Sequence, residues 1–547
     1  MDEVIILFLK NPAKEFCVFI KENKITVLLL GIVLALCYGF TLTNHSIGID
    51  DNRFQLYFDE TGLIGQKRFA GPLVHKLFGI YQFTPFWLDA LAVIFLFLGI
   101  IFWCLILKKA SQDKLPKAGY IIFSTVFASY SLINEIFIYM TAAISICMSY
   151  FLTAAAVYFA LQYINEKKKK YLAASLIIMI LVISFYESFV GVYIFGIFAI
   201  LLLKYLYTDS SKKLKDVFKE FFIMLLPVIL GIIMEEVISS GLLWVMNLDE
   251  SIFGARSIMW GTAPIMETLR NLIQEIIVMF YLAAGRYLPI LLYAITTMVF
   301  GIIAIIFSIK KKSITLFLIS LGLYLSTLAL SFMQGIAAPY RTCQVFGLFV
   351  AFAFMLAFKS VEHKKILKYA VVFISILIVI NSTRDLSQWF YLDYMRFEQD
   401  KNIIQTLGED LKKNGDITKP VVFVGTPKIS QSLLEYEPTK LPLTRKVTDK
   451  VAQIMPEGIN TMYNTKVVNS RPNQVNAKIL VVEWAIMAPS AMKNPMEDLM
   501  RLYGYDIKEA TPEQHEEANA LAGDMECWPK EGSIKETEEI IIVRMGG

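Results

Sequence analysis

The residues best suited to chemistry are two adjacent carboxylates, Asp50 and Asp51, which follow the first long apolar run of the sequence. A carboxylate can accept the proton of an attacking hydroxyl group, as general bases do. Lys67 and Arg68 follow within the same stretch. Guanidinium groups offer a planar fork of donors that matches phosphate oxygens. The stretch therefore combines a candidate base with candidate ligands for a departing phosphate.

Other charges in the apolar part of the chain are unevenly placed. The arginines before residue 384 lie in connections that are almost free of lysine: Arg53, Arg68, Arg256, Arg270, Arg286 and Arg341. The acids lie near the ends of apolar runs: Asp89, Glu135, Glu187, Glu235 and Glu236. No acid falls at the expected midplane of a run, which argues against a proton or ion pathway. The pattern favours a polar cavity open to one face, although lipid headgroups or local ion pairs could explain any single arginine.

The elements that must position these residues are membrane-spanning helices. The chain of 547 residues is 56% hydrophobic and only 18% charged, with a mean hydropathy of +0.55, which is unlike a soluble domain. A helix needs about 20 apolar residues to cross a bilayer. About eleven runs qualify: Ile25–Leu42, Phe86–Leu107, Gly119–Tyr139, Ala142–Ile164, Tyr171–Phe185, Phe189–Leu203, Phe221–Ser239, Leu288–Ile309, Ile314–Phe332, Val345–Phe358 and Ile366–Ile380.

Lysines predict the orientation, because Lys and Arg accumulate in cytoplasmic loops. Alternate connections carry lysine clusters, at positions 108–117, 167–170, 204–219, 310–312 and 359–368. Residues 1–24, also rich in lysine, are predicted to form a cytoplasmic interfacial helix. Residues 25–383 then form the transmembrane part. An odd number of spans places residues 384–547 outside, on the same side as the outward arginines and acids.

The soluble C-terminal part predicts a small α/β domain. Its expected helices are Tyr394–Lys413, Ile429–Tyr436 and Pro495–Tyr503, and its expected strands are Val421–Gly425, Lys478–Glu483 and Glu539–Arg544. One amphipathic stretch in the membrane part, Leu269–Leu282, is expected to lie along the outer surface, and a twelfth span is the alternative. The fold class is thus a polytopic α-helical membrane protein with a small extracytoplasmic α/β domain.

Short motifs carry a family resemblance. Asp50-Asp51 open the first external loop, Lys67-Arg68-Phe69 come later in it, Tyr186-Glu187 occupy a tight external turn, and Ala338-Pro339-Tyr340-Arg341-Thr342 lie between the ninth and tenth runs. In these features the sequence resembles the GtrII-like glucosyltransferases, which are GT-C membrane glycosyltransferases. Lys67-Arg68-Phe69 lies where relatives carry a Gly-Arg-Trp-like element. This sequence departs from that element, because it has Lys67 in place of the glycine and Phe69 in place of the tryptophan.

The resemblance implies an enzyme of the bacterial cytoplasmic membrane. Its donor would be a polyprenyl-phosphate sugar, such as undecaprenyl-phosphate glucose, and its acceptor a cell-surface polysaccharide, such as O-antigen, or a glycolipid. Asp51 or Asp50 would act as the base of an inverting displacement. The candidate phosphate ligands are Arg68, Arg341, Arg286, Arg256 and Lys67, and the candidate sugar or acceptor contacts are Glu135, Tyr186, Glu187 and Tyr340. Membrane lipids, a donor synthase and a flippase are the other expected partners.

No cofactor and no nucleic acid are expected. The four histidines lack metal-ligand spacing, but oxygen ligands from Asp50, Asp51, Asp59 and Glu60 leave a divalent cation as an alternative. Two other functions stay open: a flippase or exporter of lipid-linked saccharide, and a polysaccharide polymerase or ligase that uses a lipid pyrophosphate. Midplane charges or inverted repeats, which would favour transport, are not seen in the sequence.

Overall fold

A computed structural model describes residues 2–48, 51, 61–207, 213–250, 258–415, 417–438, 440–469, 478–487 and 495–546, with side chains from residue 12 onward. The described chain is mostly helical. Its membrane part contains these helices: α1 (Asp2–Glu22), α2 (Lys24–Thr43), α3 (Thr61–Gly65), α4 (Ala70–Leu77), α5 (Pro85–Ala110), α6 (Lys117–Ala128), α7 (Asn134–Phe137), α8 (Met140–Glu166), α9 (Lys169–Phe185), α10 (Phe189–Tyr207), α11 (Leu214–Met246), α12 (Ile265–Ile276), α13 (Leu288–Lys310), α14 (Ile314–Ser326), α15 (Ala329–Gln334), α16 (Val345–Ser360) and α17 (Lys365–Asn414).

Most of each predicted apolar run is helical, with breaks in the third run at residues 129–130 and 138–139 and in the ninth at residues 327–328. Within the described residues, eight helical segments are long and apolar enough to cross a membrane: α2, α5, the segment Lys117–Phe137, α8, α10, α11, α13 and α17. The helices at three further predicted runs are shorter, with 17 residues in α9, 13 in α14 and 16 in α16. The chain is therefore a polytopic membrane protein. Eight of the eleven predicted spans lie in helical segments that are long and apolar enough to cross a membrane.

The third predicted run is interrupted rather than continuous. Helix α6 ends at Ala128, a 3-10 turn covers Ser131–Ile133, and the single turn α7 precedes the start of α8 at Met140. The N-terminal amides of a helix have no partner within the helix itself. The interruption therefore exposes fresh donors, at Met140 and Thr141, in the middle of an apolar stretch.

Helix α17 is longer than predicted. The expected last span ended at Ile380 and a separate helix began at Tyr394, but α17 runs unbroken for 50 residues to Asn414. It crosses the predicted domain boundary at residue 384. Its first half is largely exposed around residues 365–380, as a lipid-facing span requires, whereas Leu407 and Leu411 are buried in the C-terminal core. One rigid element thus connects the two parts of the chain.

The C-terminal part contains a four-stranded sheet with the strand order β2-β1-β4-β3. Its elements are β1 (Pro420–Val424), α18 (Gln431–Glu435), α19 (Pro442–Ile454), α20 (Glu457–Tyr463), α21 (Val481–Met487), α22 (Pro495–Leu502), β2 (Lys508–Glu509), α23 (Pro512–Leu521), β3 (Ile534–Glu536) and β4 (Ile541–Arg544). Strand β1 pairs in parallel with β2 and β4, and β3 pairs antiparallel with β4.

One element of the C-terminal part differs from the predictions, and one stretch of the membrane part adds to them. The predicted strand Lys478–Glu483 is wrong, because α21 begins at Val481. The Asp400 carboxylate accepts the Val481 and Val482 amides at 3.0 and 3.1 Å, which stabilises a helix start there. In the membrane part, the stretch Leu269–Leu282, predicted to lie along the outer surface, is helical and is not among the segments long and apolar enough to span a membrane. It continues α12 into a π-helix, Ile277–Leu282, with Leu272 and Phe280 buried and Arg270 exposed.

Candidate active site

The carboxylate of Asp51 lies at the N-terminus of α8 and is fully buried. The Met140 N–H donates to its Oδ2 at 3.0 Å, and the Thr141 N–H donates to its Oδ1 at 3.1 Å. The Thr141 hydroxyl donates to the same Oδ1 at 2.7 Å, and the Gly48 N–H approaches Oδ2 at 3.4 Å. The positive end of a helix dipole favours a negative charge at this place. Asp51 is thus anchored to the interruption between α7 and α8.

The loop that carries Asp51 packs tightly against the same interruption. A Cβ atom on Gly48 would lie 2.3 Å from the backbone oxygen of Ile138, a separation that no side chain could adopt without a shift of backbone. Gly48 is therefore required for the loop to approach the segment 138–141 closely. The approach brings Asp51 to the stretch that also carries Glu135 and Tyr139.

Glu135 lines a small cavity of about 20 Å³ beside this stretch. The other polar and aromatic walls are Asn134, Tyr287, Tyr340 and Trp389. Glu135 is 3% exposed, and its Oε2 has no hydrogen-bond partner in the part of the chain that the structure describes. A buried, unsatisfied acceptor of this kind is costly unless something binds to it. Aromatic rings around one carboxylate form a setting suited to a sugar.

Tyr340 contributes its ring rather than its hydroxyl, because the hydroxyl donates to the Met279 carbonyl at 2.7 Å. The Tyr340 ring packs edge-on against Tyr287, with the centroids 5.6 Å apart. Both residues lie at helix interruptions, since Tyr340 begins the 3-10 turn Tyr340–Thr342 and Tyr287 directly precedes α13. Predicted contact residue Tyr340 and predicted contact residue Glu135 therefore share one cavity.

Arg341 connects this cavity to the turn between α9 and α10. Its guanidinium carbon lies 6.0 Å from the centroid of the Tyr139 ring, and Arg341 lines a second small cavity of about 10 Å³. The Gln344 side chain donates to the Arg341 carbonyl at 2.6 Å and accepts from the Ser188 hydroxyl at 2.6 Å. The backbone at Arg341 is therefore fixed relative to the turn that carries Tyr186 and Glu187.

That turn itself carries Tyr186 and Glu187, and Arg68 contacts it. The Arg68 guanidinium carbon is 5.0 Å from the centroid of the Tyr186 ring, a cation–π contact that holds the guanidinium plane in place. Glu187 accepts a hydrogen bond from the Gln334 side chain at 3.0 Å. Hydrogen bonds and packing thus link Arg68, through the turn, to Arg341 and then to the Asp51 anchor.

Two predicted phosphate ligands are held elsewhere by carboxylates. Lys67 pairs with Glu236 at 2.7 Å and with Glu250 at 3.3 Å. Arg286 lies 3.4 Å from Asp449 and donates to the Tyr463 hydroxyl at 3.4 Å, so it contacts the C-terminal part. Asp50 and Arg256, also predicted for the site, lie outside the described residues. Asp59 and Glu60 do as well, while no group of three His, Cys, Asp or Glu side chains among the described residues could hold a metal ion.

The sequence analysis did not assign several buried polar residues near Asp51. Asp89 has no exposed surface, and neither of its carboxylate oxygens has a hydrogen-bond partner among the described residues. It lies close enough to Asp51 and Asp393 to interact with their charges. Asp393, Arg396 and Asp400 form a second buried group on α17. Their spacing of three and four residues puts them on one helix face, which was a signal in the sequence.

The comparison with protein families identifies this scaffold. Residues 39–358 match the family described as Glucosyl transferase GtrII, a match of 320 residues in a chain of 547. The chain belongs to the GtrII glucosyl transferase family. The search of curated proteins gave no match, and neither did the search of solved structures.

The part of the chain that matches the GtrII family contains most of the candidate site, with Trp389 of α17 as the exception. It begins within α2 and ends within α16, so it includes Asp51, Arg68, Glu135, the Tyr186-Glu187 turn and Arg341. Helix α17 and the sheet lie beyond it. Membership supports a membrane glycosyltransferase.

Proposed function

We propose that the protein moves a sugar, most simply glucosyl, from a polyprenyl-phosphate carrier to a polysaccharide or glycolipid acceptor on the outer face of a bacterial cytoplasmic membrane. One observation carries the proposal. In a member of a glucosyl transferase family, Asp51 of the first loop after α2 is anchored on the segment that also carries Glu135 and whose Tyr139 ring contacts Arg341. The proposed sugar pocket and a proposed phosphate ligand then lie close to the segment that holds Asp51.

The reaction that fits is a single displacement. The oxygen of an acceptor hydroxyl attacks the anomeric carbon, the bond from that carbon to the phosphate oxygen breaks, and the hydroxyl proton passes to a carboxylate. The polyprenyl phosphate leaves as an anion and is stabilised by guanidinium groups. Attack opposite to the leaving group inverts the anomeric configuration.

The contacts of Asp51 favour a division of labour within the acidic pair. Both Asp51 oxygens already accept hydrogen bonds from α8, and the side chain is buried. A base must reach the attacking hydroxyl within hydrogen-bond distance. We therefore assign the proton transfer to Asp50 and the fixation of the loop to Asp51.

The sugar is assigned to the cavity beside Glu135, which must widen to admit a pyranose ring. The face of a pyranose ring is apolar at its C–H groups and stacks on aromatic rings, and Tyr287, Tyr340 and Trp389 offer such surfaces. The Glu135 carboxylate would accept hydrogen bonds from sugar hydroxyls. Arg341, which borders the adjoining cavity, would then contact the donor phosphate together with Arg68.

The test is transfer from a radiolabelled polyprenyl-phosphate glucose in proteoliposomes that contain the purified full-length protein and a membrane acceptor fraction. Asp50→Asn is expected to abolish turnover, with a loss of at least about 100-fold. Asp51→Asn is expected to lower turnover and thermal stability together, because one of its acceptor oxygens becomes a donor. Asp216→Asn, an exposed acid at the start of α11, is the matched control and should retain activity.

Three outcomes contradict the proposal in distinct ways. Full activity of Asp50→Asn and Asp51→Asn would exclude the acidic pair as the source of the base. Movement of intact lipid-linked sugar across the bilayer without transfer would identify a flippase. Transfer only from a lipid-pyrophosphate saccharide would identify a polymerase or ligase.

A further inference from the structure

Arg396 is a buried arginine, 1% exposed, on the part of α17 beyond the predicted membrane boundary. Its Nε and Nη2 donate to Asp393 Oδ1 at 3.1 and 3.0 Å. Its Nη1 donates to Asp400 Oδ2 at 2.8 Å. Arginine alone among the basic side chains has a planar fork that can donate to several acceptors at fixed angles.

On one side this group holds the loop that leads to the acidic pair. Arg396 Nη2 donates to the Ile47 carbonyl at 2.6 Å. The Ser46 hydroxyl donates to Asp393 Oδ2. The next turn follows at once, since the Asp51 N–H donates to the Gly48 carbonyl at 3.2 Å. Ser46 and Ile47 are therefore held by α17, and Asp51 is held by α8.

On the other side the same group holds the C-terminal part. Asp400 accepts the Val481 and Val482 amides at the start of α21. Val481 and Val482 are buried with Leu407 and Val421 in the core beneath the sheet. Arg396 is thus one hydrogen bond from the acidic loop and two from the core of the C-terminal part.

We propose that Arg396 is a positioning residue for the acidic loop and that, through it, the C-terminal part belongs to the catalytic unit. This inference rests on the proposed function, because it concerns the placement of the carboxylate that accepts the proton. The charges agree with this role. Two buried carboxylates share one guanidinium, and the remaining acceptor sites are filled by backbone amides and the Ser46 hydroxyl. Loss of the guanidinium would leave both carboxylates to repel each other and the loop without its anchor.

The test compares Arg396→Lys and Arg396→Met with Arg384→Met in the full-length protein in nanodiscs. Arg384 lies on the same helix but is exposed, so it is the matched control. Arg396→Lys keeps the charge but not the fork. We expect it to lower kcat by roughly 10-fold to 100-fold, because small displacements of a reacting group are costly. The KM for the donor should change by less than about threefold, since the donor contacts remain. Arg396→Met should lower kcat further, so that the kcat of Arg396→Lys lies between those of Arg396→Met and the wild type.

A second measurement reads the positioning directly. Amide hydrogen exchange at residues 46–48 and 481–482 should become faster in Arg396→Lys and remain unchanged in Arg384→Met. In a double-mutant cycle, Arg396→Lys combined with Asp51→Asn should lose less than the two separate losses predict together, because both disturb one loop. Independent losses, unchanged kcat in Arg396→Lys, or faster exchange at residues 481–482 alone would each overturn the inference.

The two readouts separate this inference from the proposed function. If the wild-type protein transfers no sugar but exchange at the loop and at α21 responds together to Arg396→Lys, the function is wrong and the mechanical link stands. If the wild type transfers sugar and hydrogen exchange at residues 46–48 is unchanged in Arg396→Lys, the link is wrong and the function stands.

Discussion

Tyr340 and Arg341 are neighbours in sequence, but substitution of the first is expected to affect stability and substitution of the second is expected to affect catalysis. Tyr340→Phe removes a buried hydroxyl that donates only to the Met279 carbonyl, so we expect a stability loss of about 1 kcal/mol and nearly unchanged transfer. Arg341→Lys replaces a guanidinium fork by a point charge. It should lower kcat/KM for the donor by roughly 10-fold to 100-fold. Thermal unfolding and donor kinetics of the two variants check this. A larger kinetic loss in Tyr340→Phe than in Arg341→Lys would contradict the assigned roles.

His75 predicts how stability depends on pH. The side chain is buried in α4, and burial lowers the pKa of His75 to about 4 from its ordinary 6.5. The unfolded chain therefore binds this proton more readily than the folded chain. The destabilisation of the fold by His75 is absent above pH 6.5, grows as the pH falls, and is complete below about pH 4. At pH 5 this destabilisation is about 2 kcal/mol.

The measurement for His75 is apparent thermal unfolding in detergent at pH 7 and pH 5. The wild type should lose more stability between the two values than His75→Gln, which has no group that titrates there. His363→Gln, in the lysine-rich connection before α17, is the matched control and should behave as the wild type. Parallel curves for the wild type and His75→Gln would contradict the pKa of His75 as the cause.

At the scale of residues, the sequence identified which types gather on the outward connections, but not all of their partners. The pairing of Arg286 with Asp449 and of Lys67 with Glu236 joins positions more than a hundred residues apart. Such pairs leave no local spacing to recognise. The role of Asp51 as an anchor also depends on amides that become available only because α8 starts at Met140.

Among elements, α19 packs closely against the 3-10 turn Ala283–Gly285, which shortly precedes α13. A Cβ on Gly285 would lie 2.2 Å from the Thr448 hydroxyl and 2.8 Å from the Thr444 carbonyl. Gly285→Ala should therefore displace α19, weaken the nearby Arg286–Asp449 pair and cost about 1–3 kcal/mol.

Limited proteolysis across residues 442–463 and thermal unfolding check the Gly285 prediction. Gly301→Ala is the control, because a Cβ at Gly301 would meet nothing within 4 Å. In a helix interior an alanine there should be neutral or slightly stabilising. Equal protease sensitivity of the two variants would show that α19 tolerates the added methyl group.

Elements were predictable where apolar content decided them. The apolar runs are mostly helical because a backbone in hydrocarbon must satisfy its own hydrogen bonds. Three features depended on tertiary contacts and were missed. The break before α8 coincides with the Asp51 anchor, the continuation of α17 buries paired charges, and α21 replaces a predicted strand because Asp400 fixes its first amides. Local propensity is a weak guide where such caps compete with it.

For the whole molecule, contacts give a sidedness that does not depend on the number of spans. Glu15 and Glu22 of α1 pair with Lys109 and Lys108 at the end of α5. At the opposite end of α2, the loop at Ser46 and Ile47 contacts α17 and, through Asp400, the C-terminal part. Because α2 crosses between them, α1 and the C-terminal part are predicted to lie on opposite faces of the membrane.

Two native cysteines allow this sidedness to be measured. Cys17 on α1 is exposed and Cys527 in the C-terminal part is half-exposed, whereas Cys37, Cys104, Cys147 and Cys343 are buried. Since the lysine clusters predict that α1 faces the cytoplasm, a membrane-impermeant thiol reagent added to intact cells should label Cys527 and not Cys17. Permeabilised cells should be labelled at both, and the variants Cys17→Ser and Cys527→Ser assign each signal. Label on Cys17 alone would invert the orientation and move the acidic pair to the cytoplasmic face. Label on both cysteines in intact cells would contradict the opposite placement that the contacts of α1 and α17 require.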